Sequence, residues 1–169
     1  GDIGCYTLGS AAPLNAIDTC ICMGASISSG HGAAMALKRG GSDLKVVSVI
    51  GDSTFFHTGI NSLIDVVYNK GNSVSVILDN RITGMTGHQQ NPGTGFTLMG
   101  EPTTEVDIPM LCKAIGMKEE NIYTVNPLHL KETEDVLTEA LAKDEPTVII
   151  TKWPCILKKF SDEDKAQFD

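Results

Sequence analysis

The sequence lacks the cysteine pattern of a metal or iron–sulfur site. Its five cysteines form no Cys-x-x-Cys pair, and the tightest spacing is Cys20-Ile21-Cys22. Without such pairs, neither a tetrahedral zinc site nor an iron–sulfur cluster has an obvious ligand set. An odd number of unevenly spaced cysteines is typical of reduced thiols, so we expect a cytoplasmic protein.

Long apolar runs and clustered positive charge are also missing. No apolar stretch approaches the roughly 18 residues of a membrane span, and no basic segment precedes an apolar one as in a signal peptide. The 13 Lys and Arg against 21 Asp and Glu give a formal charge of −8. This balance argues against nucleic acid and anionic membranes as partners, because both require a clustered positive surface.

Four short runs rich in β-branched residues recur along the chain, and segments with helical periodicity separate them. Runs that are apolar on both faces are typical of parallel strands covered on both sides. The alternation predicts an α/β fold, in which a doubly wound, mainly parallel sheet has helices on both faces. The predicted strands are Val46–Ile50, Val74–Leu78, Ile122–Val125 and Thr147–Thr151, and the predicted helices begin near Ala25, Ile60, Ile108 and Leu130.

The segment from Arg81 to Pro109 has little periodicity and many glycines and prolines. Loops of this length in compact domains are usually functional or disordered, and this one begins where open α/β sheets place their ligands. We expect one domain over residues 1–155, followed by an acidic tail or a linker to a missing domain over 156–169. The opening Gly1-Asp2-Ile3-Gly4-Cys5-Tyr6 resembles the end of a strand, which suggests a piece cut from a longer protein.

Two oxygen-bearing side chains directly follow predicted strands. Asp52 follows the first strand and Asn80 follows the second, so both are expected at the same edge of the sheet. Hard oxygen donors suit Mg²⁺, and the backbone carbonyl of Ile82 can complete the set. For Asp52 alone, capping of a following helix explains the position equally well.

The spacing of these residues resembles the thiamine diphosphate motif, which runs from Gly-Asp-Gly to Asn-Asn. Here Gly51-Asp52-Ser53 is followed, about 25 residues later, by Asp79-Asn80. Two positions depart from the motif: Ser53, whose hydroxyl can reach phosphate, and Asp79, whose charge we expect to point away. Beyond this motif, the sequence is similar to the thiamine-binding domain of 2-oxoacid:ferredoxin oxidoreductases, especially the indolepyruvate type. The segments that carry the similarity are residues 1–9, 18–26, 51–57 and 80–89.

The resemblance implies a thiamine diphosphate- and Mg²⁺-binding domain, with Asp52, Asn80 and the Ile82 carbonyl as metal ligands. It implies oxidative decarboxylation of 2-oxoacids such as aryl pyruvates to acyl-coenzyme A, with ferredoxin as the electron acceptor. The implied partners are a smaller subunit and a pyrimidine-binding domain of the same or a neighbouring subunit, which supplies an activating Glu. Iron–sulfur clusters are then expected on missing domains, and the isolated chain is expected to be inactive.

Further site residues follow from these motifs. Gly24-Ala25-Ser26 open a predicted helix whose N-terminus can bind phosphate, although small residues there can serve packing alone. We expect Cys20 and Cys22 to be buried beside the cofactor, and His57 and His88 to be candidate catalytic residues because they follow the two strands. Met85 resembles the apolar residue that supports the bent cofactor. The expected cofactor contacts are Cys22, Gly24, Ala25, Ser26, Gly51, Ser53, Ile82, Gly84 and Met85.

Two alternatives remain open. A non-oxidative, thiamine-dependent 2-oxoacid decarboxylase of the sulfopyruvate or phosphonopyruvate type has a similarly small thiamine domain and needs no cluster proteins. A flavodoxin-like phospho-receiver module would use Asp52 as phospho-acceptor and Lys152 at the end of a late strand. The receiver interpretation leaves Asn80 and the long loop unexplained, and no acidic pair follows an earlier strand.

Overall fold

The computed structural model describes residues 1–160 and 162–168, and all their side chains except that of Glu163. Within this part of the chain, four parallel strands form one sheet in the order β1-β2-β4-β3. The predicted α/β class and parallel sheet are therefore confirmed. The strands are β1 (Val47–Gly51), β2 (Val74–Asp79), β3 (Ile122–Val125) and β4 (Thr147–Lys152).

Helices connect the strands in the predicted alternation. A wide π turn over Phe55–Gly59 joins α2 to α3, so one helical stretch follows β1. The opening of the chain is not a strand as expected, since a 3-10 turn covers Cys5–Ser10. The α-helices of the described residues are α1 (Ser26–Arg39), α2 (Asp52–Thr54), α3 (Ile60–Tyr68), α4 (Ile108–Ala114), α5 (Leu130–Ala142) and α6 (Asp162–Phe168).

The sheet is covered on both faces, as the apolar runs predict. On one face, Ile50, Ile77 and Ile150 pack with buried residues of α1, α3 and α4. On the other face, Ile149 and Val125 pack with α5. Burial of the strands from both sides fixes the position of the strand ends, where Asp52, Asp79 and Asn80 lie.

Helix α1 packs directly against β1. A Cβ at Gly30 would lie 2.0 Å from Oγ of Ser48, so a side chain there would displace the Ser48 hydroxyl. The Ser48 hydroxyl donates a hydrogen bond of 3.0 Å to the carbonyl of Ser26, the first residue of α1. A glycine at the fifth position of the helix thus lets the N-terminal part of α1 rest against the strand that leads to Asp52.

The C-terminal segment folds back onto the rest of the chain. The ring of Phe168 meets that of Trp153 edge to face with centroids 5.7 Å apart, and Lys158 Nζ pairs with Asp164 at 2.6 Å. Ser161 and the Glu163 side chain, which belong to the expected acidic tail, lie outside the described residues. In the part of the chain that the structure covers, no helix has the length and apolar character needed to cross a membrane.

Candidate active site at the carboxyl end of the sheet

A cleft of about 100 Å³ opens at the carboxyl ends of β1 and β2. Four segments meet there: the opening of the chain, the turn before α1 at Met23, the turn from β1 into α2, and the start of the long loop after β2. Open α/β sheets bind their ligands at this edge. The lining residues are Ile3, Gly4, Cys5, Tyr6, Met23, Gly51, Asp52, Ser53, Thr54, Asn80, Ile82, Thr83, Gly84, Met85 and Thr86.

The cleft brings together all three expected metal ligands and several expected cofactor contacts. Of the predicted residues, it is lined by Gly51, Asp52, Ser53, Asn80, Ile82, Gly84 and Met85. Six predicted residues do not line it, and their positions are described below: Cys22, Gly24, Ala25, Ser26, His57 and His88.

Asp52 begins α2 directly after β1, and its side chain is buried, with only 3% of the residue exposed. Its Oδ2 accepts a hydrogen bond of 3.0 Å from Nδ2 of Asn91. Burial raises the pKa of Asp52 from its ordinary 3.8 to about 7, and the charge of Asp79 adds to this effect, while the Asn91 bond opposes it. A cation beside the carboxylate would offset the cost of its charge.

Asn80 and Ile82 form a tight turn after β2. The Asn80 side-chain oxygen accepts a bond of 3.2 Å from the N–H of Ile82. Asp79 is not among the residues that line the cleft; its carboxylate accepts a bond of 3.1 Å from the N–H of Arg81. Burial also raises the pKa of Asp79. The turn therefore brings Asn80 into the lining of the cleft, with its side-chain oxygen bonded to the N–H of Ile82, and keeps the second acidic side chain out of that lining.

The long loop is held by a partly buried ion pair. The Arg81 guanidinium forms two hydrogen bonds with the Glu105 carboxylate, 2.6 and 3.1 Å long, and a third of 2.7 Å with the carbonyl of Gly93. Arg81 has a positive φ of 60°, so the chain turns sharply at the end of β2. Thr83 Oγ donates to Ser53 Oγ at 2.8 Å, which joins the loop to the turn after β1.

The opening segment contributes two residues that buttress the cleft. The Tyr6 hydroxyl accepts a bond of 3.0 Å from the N–H of Gly51, and burial raises the pKa of Tyr6 well above its ordinary value of 10. The fully buried Asp2 carboxylate accepts bonds of 2.8 and 2.9 Å from the N–H of Gly24 and one of 3.2 Å from that of Ser26.

Asp2 changes the interpretation of the start of α1. The sequence predicted that the amides of Gly24-Ala25-Ser26 face phosphate, but an acidic side chain of the same chain already accepts from two of them. The Gly24 turn, with φ of 88°, is thus held by an internal carboxylate. Ala25 and Ser26 line a separate crevice beside β1.

The two predicted catalytic histidines lie outside the cleft lining. His57 is exposed on the π turn, where Nδ1 is hydrogen-bonded with the Thr58 hydroxyl, and His88 is exposed at a loop turn with φ of 63°. The expected burial of Cys20 and Cys22 is wrong, since both are exposed. Residues that follow a strand closely in sequence point in directions set by the turns they occupy, which sequence adjacency does not specify.

Several residues of the site were not found by sequence reasoning. Asp2 and Tyr6 lie in the opening motif, where no spacing assigned them a role. Asn91 precedes Pro92 in the long loop. An Asn-Pro pair indicates a turn, but it does not predict which residue the Asn side chain contacts. Only the folded chain brings Asn91 to Asp52, 39 residues earlier.

The residues that line the cleft carry hard oxygen donors: the carboxylate of Asp52, the side-chain amide oxygen of Asn80 and their backbone carbonyls. Among the described residues there is no cluster of three or more His, Cys, Asp or Glu side chains that could hold a metal. A single carboxylate with neutral oxygens is typical of Mg²⁺ sites, in which phosphate and water complete the octahedron. A larger cavity of about 540 Å³ lies between the long loop and α6; of its three cations Arg81, Lys158 and Lys159, the first two are paired with Glu105 and Asp164.

Comparison with known proteins agrees with this geometry. The family described as thiamine pyrophosphate enzyme, C-terminal TPP (thiamine pyrophosphate, or diphosphate) binding domain, matches residues 2–151. Among curated proteins, an indolepyruvate oxidoreductase subunit IorA of Archaeoglobus fulgidus is 46% identical over 156 residues. That alignment covers 92% of this chain and 24% of the relative, so the chain spans about a quarter of the relative's length.

Solved structures share the fold. A 2-oxoglutarate:ferredoxin oxidoreductase from Magnetococcus marinus superposes with a TM-score of 0.73 at 15% identity, over 88% of this chain and 52% of that one. Benzoylformate decarboxylase from Polynucleobacter necessarius superposes with a TM-score of 0.62 at 22% identity, over 85% and 27%. At these identities the likeness concerns the fold alone.

Proposed function

The chain belongs to the family of C-terminal TPP-binding domains of thiamine pyrophosphate enzymes, and from this premise we propose that it binds thiamine diphosphate and Mg²⁺ in the cleft beside Asp52. We propose further that it is one domain of an indolepyruvate-type 2-oxoacid:ferredoxin oxidoreductase. The observation that carries the proposal is the meeting of Asp52, Asn80 and Ile82 in one cleft at the carboxyl edge of the sheet.

The proposed metal ligands are Asp52, Asn80 and the backbone carbonyl of Ile82. The donor set fits Mg²⁺ because it offers hard oxygens and only one carboxylate, leaving positions for diphosphate and water. Burial of Asp52 also supports the assignment. Burial raises its pKa to about 7, and a bound cation would favour the ionised form that a metal ligand requires. Ser53 and Gly51 are then placed to contact the diphosphate.

The remaining lining residues shape the space beside the metal. Met85 is 58% exposed at the cleft, a fitting position for an apolar support under the cofactor. Tyr6 accepts from the N–H of Gly51 and so steadies the turn that presents Asp52. When bound, thiamine diphosphate supplies a nucleophilic thiazolium carbon for decarboxylation of a 2-oxoacid, while the protein holds and orients it.

The aryl pyruvate substrate, such as indolepyruvate, is proposed from the relative named indolepyruvate oxidoreductase subunit IorA. Because the chain spans about a quarter of that relative, we assign the iron–sulfur clusters, the pyrimidine-binding domain and the contacts with the smaller subunit, ferredoxin and coenzyme A to other parts of a larger enzyme in the cytoplasm. We expect the isolated chain to bind cofactor weakly and to be inactive.

The test is isothermal titration of the complete enzyme with thiamine diphosphate and Mg²⁺. D52A and N80A are each expected to weaken Mg²⁺-dependent cofactor binding at least tenfold, whereas D43A, at an exposed carboxylate, retains the parent affinity. Unchanged affinity in D52A and N80A would contradict the metal assignment. Coenzyme A-dependent reduction of ferredoxin by indolepyruvate, rather than release of an aldehyde, distinguishes the oxidative reaction from simple decarboxylation.

A further inference from the structure

We propose that Asn91 is a positioning residue for the metal site: it holds one carboxylate oxygen of Asp52 so that the other remains for the cation. This inference rests on the proposed function, because it concerns how the proposed ligand Asp52 is oriented. Asn91 does not line the cleft and would touch neither metal nor cofactor. Its effect would be exerted through the Asp52 side chain alone.

The contacts of Asn91 use both atoms of its amide group. Nδ2 donates to Oδ2 of Asp52 at 3.0 Å, and Oδ1 accepts from the N–H of Gly93 at 2.9 Å. These partners determine the orientation of the amide, since a flipped group would set oxygen against a carboxylate and NH₂ against an N–H. Asn91 is only 6% exposed, so water has little access to this bond.

Asn91 itself is fixed by the turn that it begins. Its carbonyl accepts from the N–H of Thr94 at 3.0 Å and from the Thr94 hydroxyl at 2.9 Å. The carbonyl of Gly93 in turn accepts from Arg81, which pairs with Glu105. The turn that carries the amide is therefore tied to the end of β2, although Asp52 follows β1.

The arrangement links the two strand ends that carry the proposed ligands. Arg81 stands next to Asn80 in sequence and anchors the turn, while Asn91 reaches from the turn to Asp52. A ligating carboxylate with one oxygen held by a hydrogen bond has fewer rotamers to lose when the other oxygen meets a cation. Loss of such supporting partners typically weakens metal binding by about 10- to 100-fold.

Two variants separate positioning from a purely local structural role. In N91S, the hydroxyl can still accept from the N–H of Gly93, as Ser does in turns of this kind, but it is too short to reach Asp52. In N91A both contacts are lost. The matched controls are N69S and N69A. Asn69 also donates to an Asp carboxylate, Oδ1 of Asp65 at 2.8 Å, but it is exposed at the C-terminal end of α3 and does not line the cleft.

The measurement is the affinity of the complete enzyme for Mn²⁺ in the presence of thiamine diphosphate, from the electron paramagnetic resonance signal of free Mn²⁺. We expect N91S and N91A to bind Mn²⁺ at least tenfold more weakly than the parent, and the Asn69 variants to match it. Circular dichroism should show a folded N91S with one cooperative transition. An unfolded N91S would make Asn91 a structural residue and overturn the proposal.

The D52A variant in the same assay distinguishes two failures. If D52A loses Mn²⁺ while N91S binds it as the parent does, the positioning role is wrong and the proposed metal site stands. If D52A also binds Mn²⁺ like the parent, the proposed metal site is itself wrong. If only N91A bound Mn²⁺ more weakly, the bond from the Gly93 N–H within the turn, and not the bond to Asp52, would be the one that supports the metal site. That result also overturns the proposal.

Discussion

Replacing Asp52 by Asn should stabilise the chain when no metal or cofactor is present. The carboxylate is buried near Asp79, and its charge is therefore costly in the empty site. An amide at this position has nearly the same shape and can still accept from Asn91. The substitution removes the charge and keeps the packing, so the change in unfolding free energy reports the cost of that charge.

The pKa values give the size and the sign of the effect. The pKa of Asp52 rises from 3.8 to about 7 on folding, and the difference corresponds to about 4 kcal/mol at 1.36 kcal/mol for each pH unit. The folded state holds the proton more tightly, so the parent loses stability relative to D52N as the pH rises above 3.8. The loss is complete above about pH 7 and vanishes only well below pH 3.8, where the carboxyl is protonated in both states.

The assay is urea unfolding at pH 4.5, 6 and 8 in the presence of a chelator. Trp153 is the only tryptophan and packs against Phe168, so its fluorescence reports unfolding alongside circular dichroism. At pH 8 we expect D52N to be about 4 kcal/mol more stable than the parent, equivalent to roughly 10 °C in a chain of this size. D43N, at an exposed carboxylate, should differ from the parent by less than about 0.5 kcal/mol.

The pH dependence is the decisive part of this experiment. The other titrating groups are shared by parent and variant, so their contributions cancel in the difference, except that of Asp79, whose charge acts on Asp52. A D52N protein no more stable than the parent at pH 8 would refute the reasoning from burial. A gain in stability that stayed constant down to pH 4.5 would refute it too, because the charge of Asp52 would then not be its source.

Two further predictions concern the start and the middle of α1. G30A should lose about 1–3 kcal/mol of stability in thermal unfolding, because its Cβ meets Ser48 Oγ at 2.0 Å. G32A, with no atom within 4 Å, should instead gain up to about 1 kcal/mol from helix propensity, and equal effects would contradict close packing at Gly30. D2N should lower the free energy of unfolding by about 1.5–3 kcal/mol, because it weakens charge-assisted hydrogen bonds to the N–H of Gly24. If urea unfolding of D2N matched that of the parent, Asp2 would not hold this turn.

The strands and most helices were predictable because their signals are local. Each buried strand is a run of β-branched residues apolar on both faces, and no observed strand end differs from the predicted one by more than one residue. The edge of the sheet that carries Asp52 and Asn80 was predictable for the same reason. Once two strands are known to be parallel, the residues that follow them must lie at one edge.

Side-chain direction beyond the strand ends was not predictable. His57 lies on the π turn between α2 and α3, and His88 on a left-handed residue of the loop, so neither faces the cleft. The exposure of Cys20 and Cys22 has a similar cause, because they belong to an irregular segment without periodicity. The periods of two residues for strands and 3.6 residues for helices predict side-chain direction only where the backbone is regular. These residues lie where it is not.

The sequence by itself determined the class of fold, the edge at which the ligands collect and the oxygen donors that follow β1 and β2. Only the tertiary structure decided the contacts that orient those donors: Asn91 on Asp52 across 39 residues, and Asp2 on Gly24 across 22. The physical reason is that a loop without periodicity is placed by its long-range bonds, here those of Arg81. The pKa of Asp52 likewise depends on its burial, and burial is determined by the fold and not by the residue type.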